Sequence, residues 1–104
     1  MDNLNIGEIG AVIRVNLGYD ISDTTPTLIL EPEVGYEKHF TDGVTIPIVA
    51  FETELESFCA GEYIEYSTKV GDLDYVGRWR KKAKIKVDEN NIQQNDFQKF
   101  RVLA

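Results

Sequence analysis

The chain has 104 residues, 42% hydrophobic and 28% charged, with one Cys, one His and a formal net charge of −7. This length fits one domain (1–104), the apolar fraction excludes a disordered tail, and a single Cys excludes both a disulfide framework within the monomer and a multi-cysteine metal site. No stretch reaches the ~18–20 apolar residues of a membrane span, Met1-Asp2-Asn3-Leu4 is no signal peptide, and the acidic balance argues against nucleic acid as the main partner; a soluble, cytosolically made chain is expected.

Period-2 alternation dominates, without a 3.6-residue stripe. In Ile9 to Leu17, Ile9, Ala11, Ile13, Val15 and Leu17 share one face and Val12, Arg14 and Asn16 the other, which predicts a half-buried strand. Gly18 to Pro26 reads as a turn-rich connection. Thr27 to Val34 predicts a strand with Leu28 and Leu30 on one side and Ile29 on the other; Pro32 ends its pairing or marks a sheet edge.

Gly35 to Gly43 reads as a loop ending in the turn Thr41-Asp42-Gly43. Val44 to Glu56 predicts an extended run with Val44, Ile46, Ile48 and Ala50 on one side, and Glu52, Glu54 and Glu56 together on one face. Ser57 to Gly61 is a turn, and Glu62 to Thr68 a short strand with Ile64 and Tyr66 opposite Tyr63 and Glu65. After a loop at Gly71-Asp72-Leu73-Asp74, Val76 to Val87 is the cleanest strand, with Trp79, Ala83, Ile85 and Val87 inward and Arg78, Arg80, Lys82, Lys84 and Lys86 outward. Asp88 to Asn95 is a polar turn, and Asp96 to Leu103 closes the domain, with Phe100 and Val102 alternating against Lys99 and Arg101. Six or seven short strands separated by turn signals predict an all-β fold, a small antiparallel sandwich or barrel.

Chemistry-bearing residues are sparse. His39 has no second imidazole or thiolate near it in sequence, and Cys59, in the turn Phe58-Cys59-Ala60-Gly61, reads as a small buried hydrophobe. Gly7 and Gly10 open a strand and not a helix, so they make no phosphate loop. The carboxylates alternate with apolar residues, as on a solvated sheet face. No catalytic, cofactor-binding or metal-binding residue is therefore assigned, and no enzyme activity is expected. Trp79 is expected as the core anchor, with Tyr19, Tyr36, Tyr63 and Tyr75 near strand ends. Exposed aromatic platforms would instead suit a carbohydrate-binding module.

Charge is divided along the chain. Residues 1–75 carry 15 acids against 3 bases, and residues 76–104 carry 3 acids against 8 bases. Such dipolar character favours orientation-specific protein contacts and head-to-tail packing. The outward row Arg78, Arg80, Lys82, Lys84 and Lys86 is the sharpest feature. It extends about 27 Å at 3.3–3.4 Å per residue and repels itself unless countered. Three sources could supply the counter-charge: a cross-strand ladder of Glu52, Glu54 and Glu56, an acidic surface of another subunit, or nucleic acid.

From Tyr63 the chain reads Tyr63-Ile64-Glu65-Tyr66-Ser67-Thr68, Gly71-Asp72-Leu73-Asp74, Gly77-Arg78-Trp79, then a long alternating strand and Phe100-Arg101-Val102-Leu103. With Gly10 to Leu17 and Asp42-Gly43 upstream, this order resembles the immunoglobulin-like N-terminal domain of tailed-phage baseplate upper proteins and related small virion proteins. The segments 18–41 and 47–60 fit it loosely. The resemblance implies an immunoglobulin-like antiparallel β-sandwich of about six or seven strands. It implies a structural virion module that docks to tail, baseplate or fibre proteins, and to other copies of itself. Within it, Gly77 would allow a backbone geometry or close approach that a Cβ forbids, and Asp72 or Asp74 would accept turn amides. The end at Ala104, directly after the last strand, departs from the larger baseplate proteins and predicts a stand-alone module made in the host cytoplasm. A head-decoration protein is the nearest alternative.

Overall fold

Strands follow the alternation, and glycine-bearing turns separate most of them. The computed structural model describes residues 3–104; Met1 and Asp2, which enter the signal-peptide argument, lie outside them. Among the described residues there is no helix. In chain order the strands are β1 (Asn3–Asn5), β2 (Val12–Asn16), β3 (Thr25–Pro32), β4 (Lys38–Phe40), β5 (Phe51–Glu52), β6 (Ser57–Phe58), β7 (Tyr63–Ser67), β8 (Gly77–Asp88), β9 (Asn91–Gln94) and β10 (Gln98–Leu103).

The large sheet runs β1-β10-β8-β3-β4, with β9 also pairing β8 and β1 parallel to β10. The second layer is the antiparallel pair β2-β7, and Thr45 bridges Glu65 of β7. Alternation aims one face of each layer at the other. Ile13, Val15, Ile64 and Tyr66 from the small sheet meet Leu28, Leu30, Trp79, Ala83, Ile85, Phe100 and Val102 from the large one. Each fully buried large side chain contributes roughly 1.5–3 kcal/mol relative to exposure. Trp79 is buried as the parity predicts, its ring 5.9 Å from that of Phe100.

The corner before β8 is built from short-range bonds. Trp79 Nε1 donates to the Tyr75 carbonyl at 2.9 Å. Gly77 has φ +135°, and a Cβ there would come within 3.2 Å of the Tyr75 ring, so this glycine is required as the sequence suggests. Asp72 Oδ2 accepts from the Lys69 amide at 2.7 Å and from the Tyr66 hydroxyl at 2.5 Å. Asp74 instead pairs with Lys38 at 2.9 Å.

Several expected elements are redrawn. Ile9 is 64% exposed, because Gly10 takes φ +82° and turns the chain before β2 starts. Val44 to Glu56 is no single strand. Pro47 has no amide to donate, and past it Ile48 is 91% exposed. Thr53 Oγ1 then accepts from the Glu56 amide at 3.0 Å and turns the chain from β5 into β6. The loop 35–43 contains β4, which places His39 on a strand. The polar stretch 88–95 contains β9, all of it exposed. Val87 is 46% exposed, since a register shift between Lys86 and Asp88 twists the strand end out of the core. At the inward position between Trp79 and Ala83 stands Lys81, only 5% exposed, its Nζ 5.9 Å from the Phe100 ring centre. Tyr63 is buried rather than at an exposed strand end, and Cys59 is exposed rather than buried.

Candidate docking surface

The outward side chains of β8 stand on the outer face of the large sheet, at the positions the parity predicts. Arg78, Arg80 and Lys86 are exposed, and Lys82 and Lys84 are half-buried. Strand β10 enlarges this surface: its alternation sets Lys99 and Arg101 outward, and its pairing with β8, which the sequence does not reveal, brings them beside the row. Its Lys99 lies directly opposite Arg80 and its Arg101 directly opposite Arg78. Like charges in direct cross-strand register repel each other.

Compensation comes from β3 and not from the expected ladder. Glu31 is in register with Arg80 and forms an ion pair with it. Glu33 follows β3 and reaches Arg78 Nε at 3.5 Å, while its amide donates to the Arg78 carbonyl at 2.8 Å. Pro32 between them sits inside the sheet without losing a ladder bond. Its alternation aims the missing amide at the β4 side, beyond the pairing of Leu28 to Leu30 with β4. Among the described residues seven cations thus share the face (Arg78, Arg80, Lys82, Lys84, Lys86, Lys99 and Arg101), and only Arg80 and Arg78 of these pair with a carboxylate, that of Glu31 and Glu33 respectively. Among the described residues, no ion pair engages Lys84, Lys86, Lys99 or Arg101.

The row is not uniform. Between Lys84↔Gln94 and Lys81↔Gln98 the β9–β10 side carries one more residue than β8. The Ala83 amide there donates to Asn95 Oδ1 at 2.8 Å. This bulge places the Phe97 ring beneath two cations, Arg80 at 4.1 Å and Lys82 at 4.4 Å. Lys84 and Lys86 lie opposite Thr27 and Thr25. At the Arg78 end a groove of about 760 Å³ opens over β3, β8 and β10, flanked by Glu31, Glu33, Arg78, Arg80, Lys99 and Arg101, with Pro32, Trp79 and Phe100 also lining it.

The expected counter-ladder lies on the other layer. Phe51 and Phe58 of the β5–β6 hairpin pack on Tyr63, with ring centres 6.5 and 5.5 Å away. Tyr63 alternates with the core residues Ile64 and Tyr66, so the hairpin covers the outer face of the small sheet. Arg14 stacks on Phe51 at 3.9 Å and pairs with Glu65 at 2.9 Å. Glu52, Glu54 and Glu56 are therefore remote from the basic row, on the outer side of the other layer.

The remaining candidates are His39 and the tyrosines. His39 Nε2 lies 3.2 Å from Glu37, and no group of three or more metal-type ligands exists among the described residues. Tyr36, 92% exposed, shares a shallow pocket with Tyr75, whereas Tyr19 precedes β3 at the opposite end and Tyr63 is buried. No protein-family model matches the chain, and no curated protein matches its sequence.

Proposed function

We propose that this chain is an immunoglobulin-like structural module of a tailed-phage virion, docking through the outer face of its large sheet to tail, baseplate or fibre proteins. The observation that carries the docking role is the Arg78–Arg101 and Arg80–Lys99 register. Two like-charge pairs weaken the isolated sheet, and an acidic partner relieves them.

Support for the immunoglobulin-like arrangement comes from strand order. The run β10-β8-β3-β4 corresponds to strands G, F, C and C′ of a variable-type domain, and β2-β7 corresponds to B and E. The bridge from Thr45 to β7 then stands where strand D would pair. The virion assignment rests on the sequence resemblance through Gly71-Asp72-Leu73-Asp74, Gly77-Arg78-Trp79 and Phe100-Arg101-Val102.

The mechanism is positioning: a rigid sheet presents charge at fixed spacing, and many weak exposed pairs set the orientation of a repeated contact. The test is to purify particles made with wild-type chain and with Lys99→Glu/Arg101→Glu. Wild-type chain is expected in the particles, and the variant is expected to be depleted, most clearly at low salt. Absence of the wild-type chain from purified particles would overturn the virion assignment. Equal incorporation of the variant would overturn docking through this face.

A further inference from the structure

Resting on that docking surface, we infer that its partner is a second copy of this chain: the β5–β6 hairpin of one molecule seats in the groove over β3, β8 and β10 of the next. The hairpin has the form of a knob. Its turn is fixed by the Thr53 amide donating to the Glu56 carbonyl at 2.7 Å and by Thr53 Oγ1 accepting from the Glu56 amide. At the tip Leu55 is 82% exposed, and Glu54 and Glu56 flank it in sequence, with Glu52 opposite Ser57 at the hairpin's start. Its base is anchored by Phe51 and Phe58 on Tyr63, so little order has to be gained on binding.

The groove has the complementary chemistry. Arg78, Arg80, Lys99 and Arg101 rim it, and the methylene stems of these long side chains supply apolar surface, since Pro32 and Phe100 beneath them are buried. Glu31 and Glu33 engage Arg80 and Arg78, which leaves Lys99 and Arg101 to meet incoming carboxylates. Carboxylates around an exposed leucine suit a surface of cations on apolar stems.

The wider charge distribution agrees. The loops 18–24, 47–62 and 88–91 contain eight carboxylates and no Lys or Arg. The first two meet where the Ile21 amide donates to the Gly61 carbonyl at 2.8 Å. The third follows β8 just past the Lys86↔Thr25 pair, at the same end of β3. Knob and groove lie on opposite outer faces of the sandwich, so the contact is heterologous. Repetition gives a ring if the rotation closes and a filament if it does not.

Sedimentation velocity of the full chain, at low and high salt, tests this. Wild type is expected to self-associate at low salt and to dissociate as salt rises. Glu52→Gln/Glu54→Gln/Glu56→Gln and Lys99→Gln/Arg101→Gln are each expected to weaken association on the order of tenfold or more. Both leave the core intact, which circular dichroism checks. Mixed together, the two variants should form a one-to-one dimer and nothing larger, because each pair retains one intact knob and one intact groove. A wild type that stays monomeric at low salt overturns the inference, as does association that either variant retains or a mixture that fails to pair. Should a monomeric wild type still enter particles through Lys99 and Arg101, docking stands and only the identity of the partner falls.

Discussion

Arg78 and Arg101 stand directly opposite each other on the antiparallel strands β8 and β10, and Glu33 approaches Arg78 from the other side. Glu33 thus neutralises Arg78 alone, and Arg101 has no ion pair among the described residues. Reversal of Arg101 to Glu converts a repulsive cross-strand pair into an attractive one. Opposite charges in register contribute roughly 0.2–1 kcal/mol. Lys99→Glu/Arg101→Glu is expected to melt at or above the wild-type temperature while losing its docking. A clear drop in melting temperature would show that these cations stabilise the sheet.

Trp79 joins the core to the corner before β8. Trp79→Ala is expected to destabilise by ~3–5 kcal/mol, a large part of the 5–15 kcal/mol typical of a domain. Trp79→Phe keeps most of the packing but leaves the Tyr75 carbonyl without its donor. It should lose less, and hydrogen exchange should quicken around Gly77 before it does in β3. Equal losses for both variants would place the whole effect in ring volume.

Tyr66 gives the fold an alkaline limit. Burial first, then its hydrogen bond to Asp72, pushes its hydroxyl pKa above the ordinary value of 10.0. The folded chain keeps a proton that the unfolded chain releases above about pH 10. The contribution is complete below that pH and falls as pH rises towards the folded pKa. Urea titrations above pH 10 should show stability falling in wild type and falling less steeply in Tyr66→Phe. Identical slopes would remove Tyr66 as the cause.

Cys59 is exposed, with no part in the core. Cys59→Ser is expected to change stability by no more than about 0.5 kcal/mol. A larger change in chemical denaturation would mean that the thiol packs in solution.

The central strand was the most legible element because its alternation is long and both faces are chemically distinct. Parity alone placed Trp79, Ala83 and Ile85 inward and the five cations outward. It could not place the neighbours. Alternation sets Lys99 and Arg101 opposite the inward Phe100 and Val102, but their register against Arg80 and Arg78 depends on a one-residue bulge at 95–97 that alternation does not encode. Glu52, Glu54 and Glu56 have strand spacing, yet the Thr53 hydroxyl satisfies local amides and folds them into a turn. Strand β1 is only three residues long, and its parallel pairing with β10 comes from contacts far along the chain.

Thr68 is the residue through which the two layers share a backbone connection. Segment 6–11 leaves β1 in the large sheet and enters β2 in the small one. Buried Thr68 pins it: its hydroxyl donates to the Glu8 carbonyl at 2.9 Å and accepts from the Ala11 amide at 3.0 Å. Its own amide donates to the Ala11 carbonyl at 2.9 Å, and its carbonyl accepts from Gly10 at 2.7 Å. Thr68→Val preserves shape but strands the Ala11 donor and the Glu8 acceptor, which costs about 1–3 kcal/mol for a buried group. Thr68→Ser retains the hydroxyl and should cost less, since only a methyl is lost. Chemical denaturation gives the ranking, expected as wild type, then Ser, then Val. Hydrogen exchange gives the location: the Ala11 amide should lose protection in the Val variant and keep it in the Ser variant. A Val variant as stable as wild type, with Ala11 still protected, would show that other groups hold the crossing between the sheets.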